Sequence, residues 1–391
     1  MKESQNNRRE FLKQAGTTLG GISLLSGLPG VLTAAPEHNT ASEKFMSWNG
    51  ATRLRFAVIG INHNHIHAQI ALVQKGGGEF VAFFAKENDL AEAFAKRYPG
   101  IRQARFQEEI MQDKSIQVIV CAAIPEERAG IGIAAMQHDK DFLTDKPGIT
   151  SLQQLASVRK VQKATNKIFA VLFGRLESRT AFKAEALVNS GAIGKVLQTI
   201  SLAPHRINAP ARPAWFFNTK YYGGIITDIG SHQFDEFLAY TGSTKVDIVA
   251  AQTGNFNHPQ HRGFEDFGDA MFTGNAGTGY LRLDWFSPDG LKTSGDMRIT
   301  ILGTEGYIEI RKTIDLAGRE GADHLFITDN KETRYINCGA VSLPHALRFC
   351  DDVVNRTQTF MRQDHCFLVC ELALKAQAKA KRIRFTPGKT G

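Results

Sequence analysis

The sequence predicts an α/β chain of two domains. The first has strands alternating with helices around a parallel sheet, and the second is an α+β domain with a large, mainly antiparallel open sheet. Three observations carry this. Across residues 53–175 short apolar runs alternate with stretches of helical period, a pattern that requires parallel pairing and right-handed crossovers. From residue 176 to 391 the alternation stops, and many short strand-like runs follow one another across turns. The chain has 391 residues, 42% hydrophobic and 22% charged, which is enough apolar material for two cores.

Each element follows in order. Leu54–Ile59 is a short, mostly apolar strand closed by Gly60, and a helical pattern runs on through Ile70, Ala71 and Val73. Residues 80–84 and 118–123 read as further strands, with helices over 90–98 and 131–138. The run 141–144 leads into Asp145-Lys146-Pro147, and 169–173 is the last strand of the first domain. In the second domain 182–189 reads as a helix and 196–203 as a strand. Strands are expected at 247–253, 269–273, 279–285, 297–302, 307–311, 325–328 and 333–337. Helical segments at 344–354 and 364–381 close the chain. One face of such a sheet needs cover, from helices or from another subunit.

The first 35 residues read as an address rather than as structure. Asn7-Arg8-Arg9-Glu10-Phe11-Leu12-Lys13 resembles the twin-arginine export motif, a mildly apolar stretch runs from Ala15 to Leu32, and Thr33-Ala34-Ala35 offers a cleavage site. The resemblance implies export through the twin-arginine translocase to the periplasm or beyond, in a folded state. Residues 36–52 read as a polar linker.

The formal net charge is +8, but basic and acidic residues are interspersed. The one dense basic patch, Lys375, Lys379, Lys381, Arg382 and Arg384, reads as a solvated helix end and not as a nucleic-acid surface. Cys121, Cys338, Cys350, Cys366 and Cys370 are too few and too scattered for a disulfide framework. No long apolar run after the N-terminus suggests a membrane span.

The turn after the first strand is where a dinucleotide fold holds phosphate. Gly60, Asn62 and His65 stand where three glycines would. Asn tolerates the left-handed backbone, so Asn62 can make the turn. His63, His65 and His67 raise the question of a metal, but alternate spacing does not gather all three on one side of a helix, so no metal is expected. At the end of the second strand Ala85 replaces the acid that binds ribose, and Lys86 follows. Lys86 is either a contact for a 2′-phosphate or a plain loop residue.

Two motifs carry the chemistry: Asp145-Lys146-Pro147, and Gly223-Gly224 followed by Asp228-x-Gly230-x-His232 and Asp235. Together, and in this order, they resemble the glucose–fructose oxidoreductase / inositol dehydrogenase family, often called Gfo/Idh/MocA. Asp145 replaces that family's Glu. The resemblance implies a Rossmann dinucleotide-binding domain with NAD or NADP held against Gly60, Asn62, His63, His65, Lys86, Pro125 and Lys146. It also implies catalysis by Lys146, Asp228 and His232. A His titrating near neutrality suits the removal of a hydroxyl proton. Asp228, one helical turn before it, would share its face and polarise the ring, and Lys146 would favour the developing alkoxide. His205, Arg206, Trp215 and Tyr222 precede the motif helix and are candidates to line a carbohydrate pocket, with Trp215 equally placed for core packing.

The expected activity is oxidoreduction of a sugar, polyol or derivative by hydride transfer. An exported enzyme cannot draw on a cytoplasmic cofactor pool, so the cofactor is expected to stay tightly bound. The alternatives are a redox-neutral glycoside hydrolase or lyase on the same scaffold, and an inactive sugar-binding protein. In this family the second sheet often supports homo-oligomers.

Overall fold

The computed structural model describes residues 48–384. The twin-arginine segment, most of the linker and the last residues lie outside them. Trp48 already belongs to the folded chain: its backbone N–H donates to Lys75 at 2.9 Å, and Arg53 stacks over its ring.

The first domain alternates strictly. In chain order it runs β1 (Leu54–Ile59), α1 (Ile66–Lys75), β2 (Gly78–Phe84), α2 (Asn88–Arg97), β3 (Arg102–Gln103), α3 (Gln107–Met111), β4 (Val118–Cys121), α4 (Pro125–Gln137), β5 (Asp141–Asp145), α5 (Leu152–Thr165) and β6 (Phe169–Leu172). Six parallel strands pair in the order β3-β2-β1-β4-β5-β6. This is the doubly wound Rossmann arrangement, whose ligand crevice lies beyond the carboxyl ends of the strands where the order reverses, here between β1 and β4. Helices cover both faces, so β4, β5 and β6 are buried at every residue.

The second domain follows as α6 (Arg179–Asn189), β7 (Val196–Pro204), α7 (Thr219–Tyr222), α8 (Ile225–Asp228), α9 (Gly230–Thr241), β8 (Val246–Gly254), β9 (Phe267–Gly274), β10 (Gly277–Asp284), β11 (Arg298–Gly303), β12 (Gly306–Arg311), β13 (His324–Asp329), β14 (Thr333–Asn337), α10 (His345–Asn355), α11 (Gln363–Lys379) and β15 (Lys381–Arg382). Ser178 starts α6 three residues earlier than the apolar pattern indicates, because its hydroxyl accepts from the Ala181 N–H at 3.2 Å. Nine strands pair as β14-β13-β12-β11-β7-β10-β9-β8-β15, antiparallel except at β7/β10 and β8/β15. Lys381 and Arg382 thus end the chain's basic run in a short edge strand rather than in a helix.

The core crosses from one domain to the other. α11 packs on α5 of the first domain and on α8, α9 and β8 of the second. One apolar cluster runs from Phe56 and Val120 through Ile226 and Phe234 to Val369 and Leu372. A smaller cluster, around Ile301, Ile308 and Ile327, lies under α6. The five cysteines are all buried, and none is paired. No described helix is long and apolar enough to cross a membrane.

Candidate active site

The crevice between the domains is built from the Asp145-Lys146-Pro147 turn outward. Arg128 of α4 is fully buried and grips this turn: Nε donates to the Ala123 carbonyl at 2.7 Å, Nη1 to the carbonyls of Lys146 at 2.7 Å and Pro147 at 3.1 Å, and Nη2 to Asp145 at 3.3 Å. A buried guanidinium is tolerated only when so fully partnered. Burial opposes ionisation of Asp145, but Arg128, with hydrogen bonds from His63 and His65, outweighs it and holds the carboxyl well below the usual range.

The turn projects Lys146 across the crevice, where Nζ meets Asp228 Oδ1 at 2.8 Å. Asp228 reaches that point through the two glycines. Gly223 and Gly224 have φ of 86° and 92°, and a Cβ on Gly224 would lie 2.3 Å from the Gln377 amide. Gln377 in turn accepts from Ile226 N–H at 2.9 Å and donates to Glu265.

Asp228 and His232 do not share one helix. The regular helical ladder is interrupted at Ile229, which itself stays right-handed (φ −91°, ψ −43°), so Asp228 ends α8 and His232 lies in the first turn of α9. Asp228 binds Lys146, whereas His232 Nδ1 accepts the Gly174 N–H at 2.8 Å. The expected polarising contact between them is therefore not made. Nor is His232 poised near neutrality: burial first, then Lys146, push it well below the usual imidazole range. Asp235 is structural, fully buried against Arg175 and 2.6 Å from His365 Nε2.

Two of the three histidines, His63 and His65, converge, because the turn folds both rings onto Asp145. Their Nδ1 atoms lie 3.2 and 2.9 Å from its two oxygens, and the three donor groups fall within 4.8 Å of one another. The carboxylate is already occupied there by Arg128 and by the Lys146 N–H. His67 turns away to the Tyr98 hydroxyl.

The nucleotide turn fits a dinucleotide. Gly60 has φ of 82°, and a Cβ there would lie 2.4 Å from that of Ala123. No described residue accepts from the N–H groups of Ile61, Asn62 and Asn64, which stand ahead of α1. Two residues beyond Ala85 stands a carboxylate, Glu87, which accepts from the Asn62 side chain at 2.9 Å. Lys86 is exposed and paired with Glu127 at 2.7 Å. A cleft of about 440 Å³ lies at this edge, lined by Phe84, Lys86, Gln107 and Glu127. Most of these residues also border a smaller recess that includes Gly60, Asn62 and Glu87. Pro125 is buried as the first residue of α4, just beyond Ala123 and Ile124.

On the second domain's side the expected pocket residues change. Arg206 points outward, donating to the Pro288 carbonyl at 2.9 Å, because it alternates with His205 at the end of β7. Tyr222 is core: it stacks on Phe216, and its hydroxyl accepts from the Glu265 N–H at 3.2 Å. Trp215 packs half-buried against Phe216. His205 lies within electrostatic reach of Lys146 and Asp228, and Arg212 within reach of Asp228. Trp285 lies 5.3 Å from the His205 ring, and Arg212 stacks over it. The indole N–H of Trp285 is buried and unpartnered. The strand alternation that pairs an outward Arg206 with an inward His205 was the available signal. Nothing local marked Arg212 or Trp285.

Comparison with known proteins agrees with this geometry. Residues 54–173 match the oxidoreductase family with an NAD-binding Rossmann fold, and residues 182–309 match the GFO/IDH/MocA C-terminal domain. A crystal structure from Erwinia carotovora atroseptica SCRI1043, described as an oxidoreductase, is 41% identical over 85% of this chain and all of its own, with a TM-score of 0.83. A levoglucosan dehydrogenase complex with NADH and levoglucosan shares the fold, with a TM-score of 0.69 at 18% identity over 83% of this chain and 97% of its own. D-xylose dehydrogenase of Paenarthrobacter nicotinovorans is 23% identical over 128 residues, 32% of this chain and 33% of that enzyme. With two domain matches in order, and a relative this similar along its whole length, the chain belongs to the Gfo/Idh/MocA family of NAD(P)-dependent oxidoreductases.

Proposed function

We propose that this enzyme interconverts a secondary hydroxyl and a ketone on a sugar, polyol or sugar derivative, with a tightly held NAD. The observation that carries the proposal is the largely buried Lys146–Asp228 ion pair, 2.8 Å long, with two imidazoles and an arginine within electrostatic reach of it. A substrate hydroxyl entering there meets a cation that favours its alkoxide. The remaining hydroxyls meet Arg212 and Trp285. When bound, the nicotinamide takes up or returns the hydride. Gly60, Asn62 and the turn amides would hold its pyrophosphate, and Glu87 its adenosine ribose. The carboxylates of Glu87 and Glu127, with Lys86 already paired, favour NAD over a 2′-phosphorylated cofactor.

Export through the twin-arginine route and association through the open face of the nine-stranded sheet complete the proposal. That face carries Ile200, Met271, Leu302 and Tyr307, each exposed, and its occupant would be a second copy of the chain. The test is to purify the protein and dialyse it extensively. Retained nicotinamide is then identified by mass, and levoglucosan and D-xylose are assayed with and without added NAD or NADP. Turnover by the Lys146→Ala variant equal to wild type on a verified substrate would sink the site. Activity that returns only with added NADP would sink the cofactor assignment.

A further inference from the structure

A cavity of about 520 Å³ lies at the seam of the two domains, and neither Lys146 nor Asp228 lines it. One wall is α1, through Ala71 and Leu72, and the second domain supplies Leu176 and Leu343. His345 and Ala346, the first two residues of α10, also line it.

That helix start lacks the groups that usually meet one. α10 runs for 11 residues, with no side-chain cap and no acid in its first turn. No described residue accepts from the N–H groups of His345, Ala346 and Leu347. The His345 side chain repeats the pattern. It is 4% exposed, and neither ring nitrogen has a partner. Phe182 and Phe360 stand edge-on to the ring, at 5.6 and 6.2 Å, and hold it without hydrogen-bonding to it. A buried imidazole and a helix start that both lack partners are costly unless something else supplies the acceptors.

The charged groups around the cavity select no sign of their own. Lys75 and Arg179 stand against Glu177 and Asp323, and Arg179 and Asp323 approach to 3.7 Å. The helix start then decides, because its amides and the positive end of its dipole favour an anion. The apolar walls ask that most of the ligand be hydrocarbon.

We propose that this cavity is a second ligand site, separate from the crevice of Lys146 and Asp228, for a small carboxylate with an apolar body. The carboxylate accepts from the first turn of α10 and from His345, and the apolar body lies between α1 and the leucines of the second domain. His345 reports on the site. Burial first, then Arg348 and Arg175, push its pKa down to about 4, against the pull of Asp235. A carboxylate beside the ring adds negative charge and moves that midpoint up.

The probe is octanoate, with octanol as its uncharged counterpart, each titrated by calorimetry into the whole purified protein. Octanoate should fill one saturable site, and octanol should bind roughly tenfold more weakly or worse. In protein carrying ¹⁵N-labelled histidine, octanoate should raise the titration midpoint of one ring, identified by its loss in His345→Gln. Ala71→Trp fills the cavity from α1 and should abolish binding, whereas Lys146→Ala should bind octanoate as wild type does. The proposal is overturned by wild-type protein that shows no saturable binding, or that takes octanol as well as octanoate. Undiminished binding in Ala71→Trp, an unmoved His345, or loss of binding in Lys146→Ala overturns it equally, since each places the probe elsewhere. These readouts use no sugar and no nicotinamide, so they stand or fall apart from the alcohol–ketone reading.

Discussion

The two sheets of this molecule hide their side chains by different rules. In the parallel sheet, β4, β5 and β6 are buried at every position, because helices lie on both faces. In the nine-stranded sheet, burial alternates: Phe272, Leu281, Ile301 and Ile308 face the core, while Met271, Tyr280, Leu302 and Tyr307 face outward. The first sheet spends its whole surface on stability and keeps only its strand ends for chemistry. The second has an entire face to offer a neighbour and brings its catalytic groups from the helices and strand ends at its rim. The candidate site and the exposed apolar face of the second sheet thus lie on different surfaces.

The largest effect should come from the parallel domain. Replacing Arg128 by Leu leaves Asp145 buried without its cation and frees two turn carbonyls, at a cost of about 3–5 kcal/mol. A denaturant midpoint within error of wild type would show that the turn holds itself. Next comes Ile119→Ala, at the fully buried centre of β4, which should lose about 2–5 kcal/mol. The matched change on the open face, Ile200→Ala, should fall within about 0.5 kcal/mol. Equal losses in the two variants would erase the contrast between the sheets.

A third test lies at the seam between the domains. His345 is buried with both ring nitrogens unpartnered, and burial pushes it down to about 4. Its folded pKa is thus below the unfolded value of about 6.5, so its contribution to stability is full above pH 6.5 and is lost as pH falls toward 4. His345→Leu should flatten that limb of the unfolding free energy, and an unchanged acid slope would show that other groups set it. The smallest effect on stability, and the clearest on mass, is expected of Met271→Glu. The monomer should unfold as before, and any larger species seen by light scattering should dissociate. A stable oligomer in that variant would free the sheet face from this role.

Much of this was legible in the chain. Continuous apolar runs such as Val118–Cys121 can only be strands covered on both sides, and they drew the first domain correctly. The motifs single out Lys146 and Asp228, whose side chains meet at 2.8 Å. What escaped detection was set by tertiary geometry. Glu87, two residues beyond Ala85, comes within hydrogen-bond reach of Asn62 because the chain beyond β2 turns back toward it. Tyr222 and Arg206 are polar residues near the site in sequence, but one hydroxyl and one guanidinium are consumed by backbone groups. The different partners of Asp228 and His232, Lys146 for one and the Gly174 N–H for the other, come from residues distant in sequence and had no local signal.

The bond between Lys146 and Asp228 has a consequence for inheritance as well as for chemistry. One partner is encoded in the first domain and the other in the second, 82 positions apart. A recombinant that joins this nucleotide domain to a sheet domain without the matching aspartate receives half of an ion pair, and with it an unmatched charge in its new crevice. Exchange of domains within such a lineage must therefore keep this ion pair as well as the shared apolar core. Engineers who shuffle these domains to graft a new sugar pocket onto this cofactor site should carry the Gly223–His232 segment along with the lysine turn, as one unit of exchange.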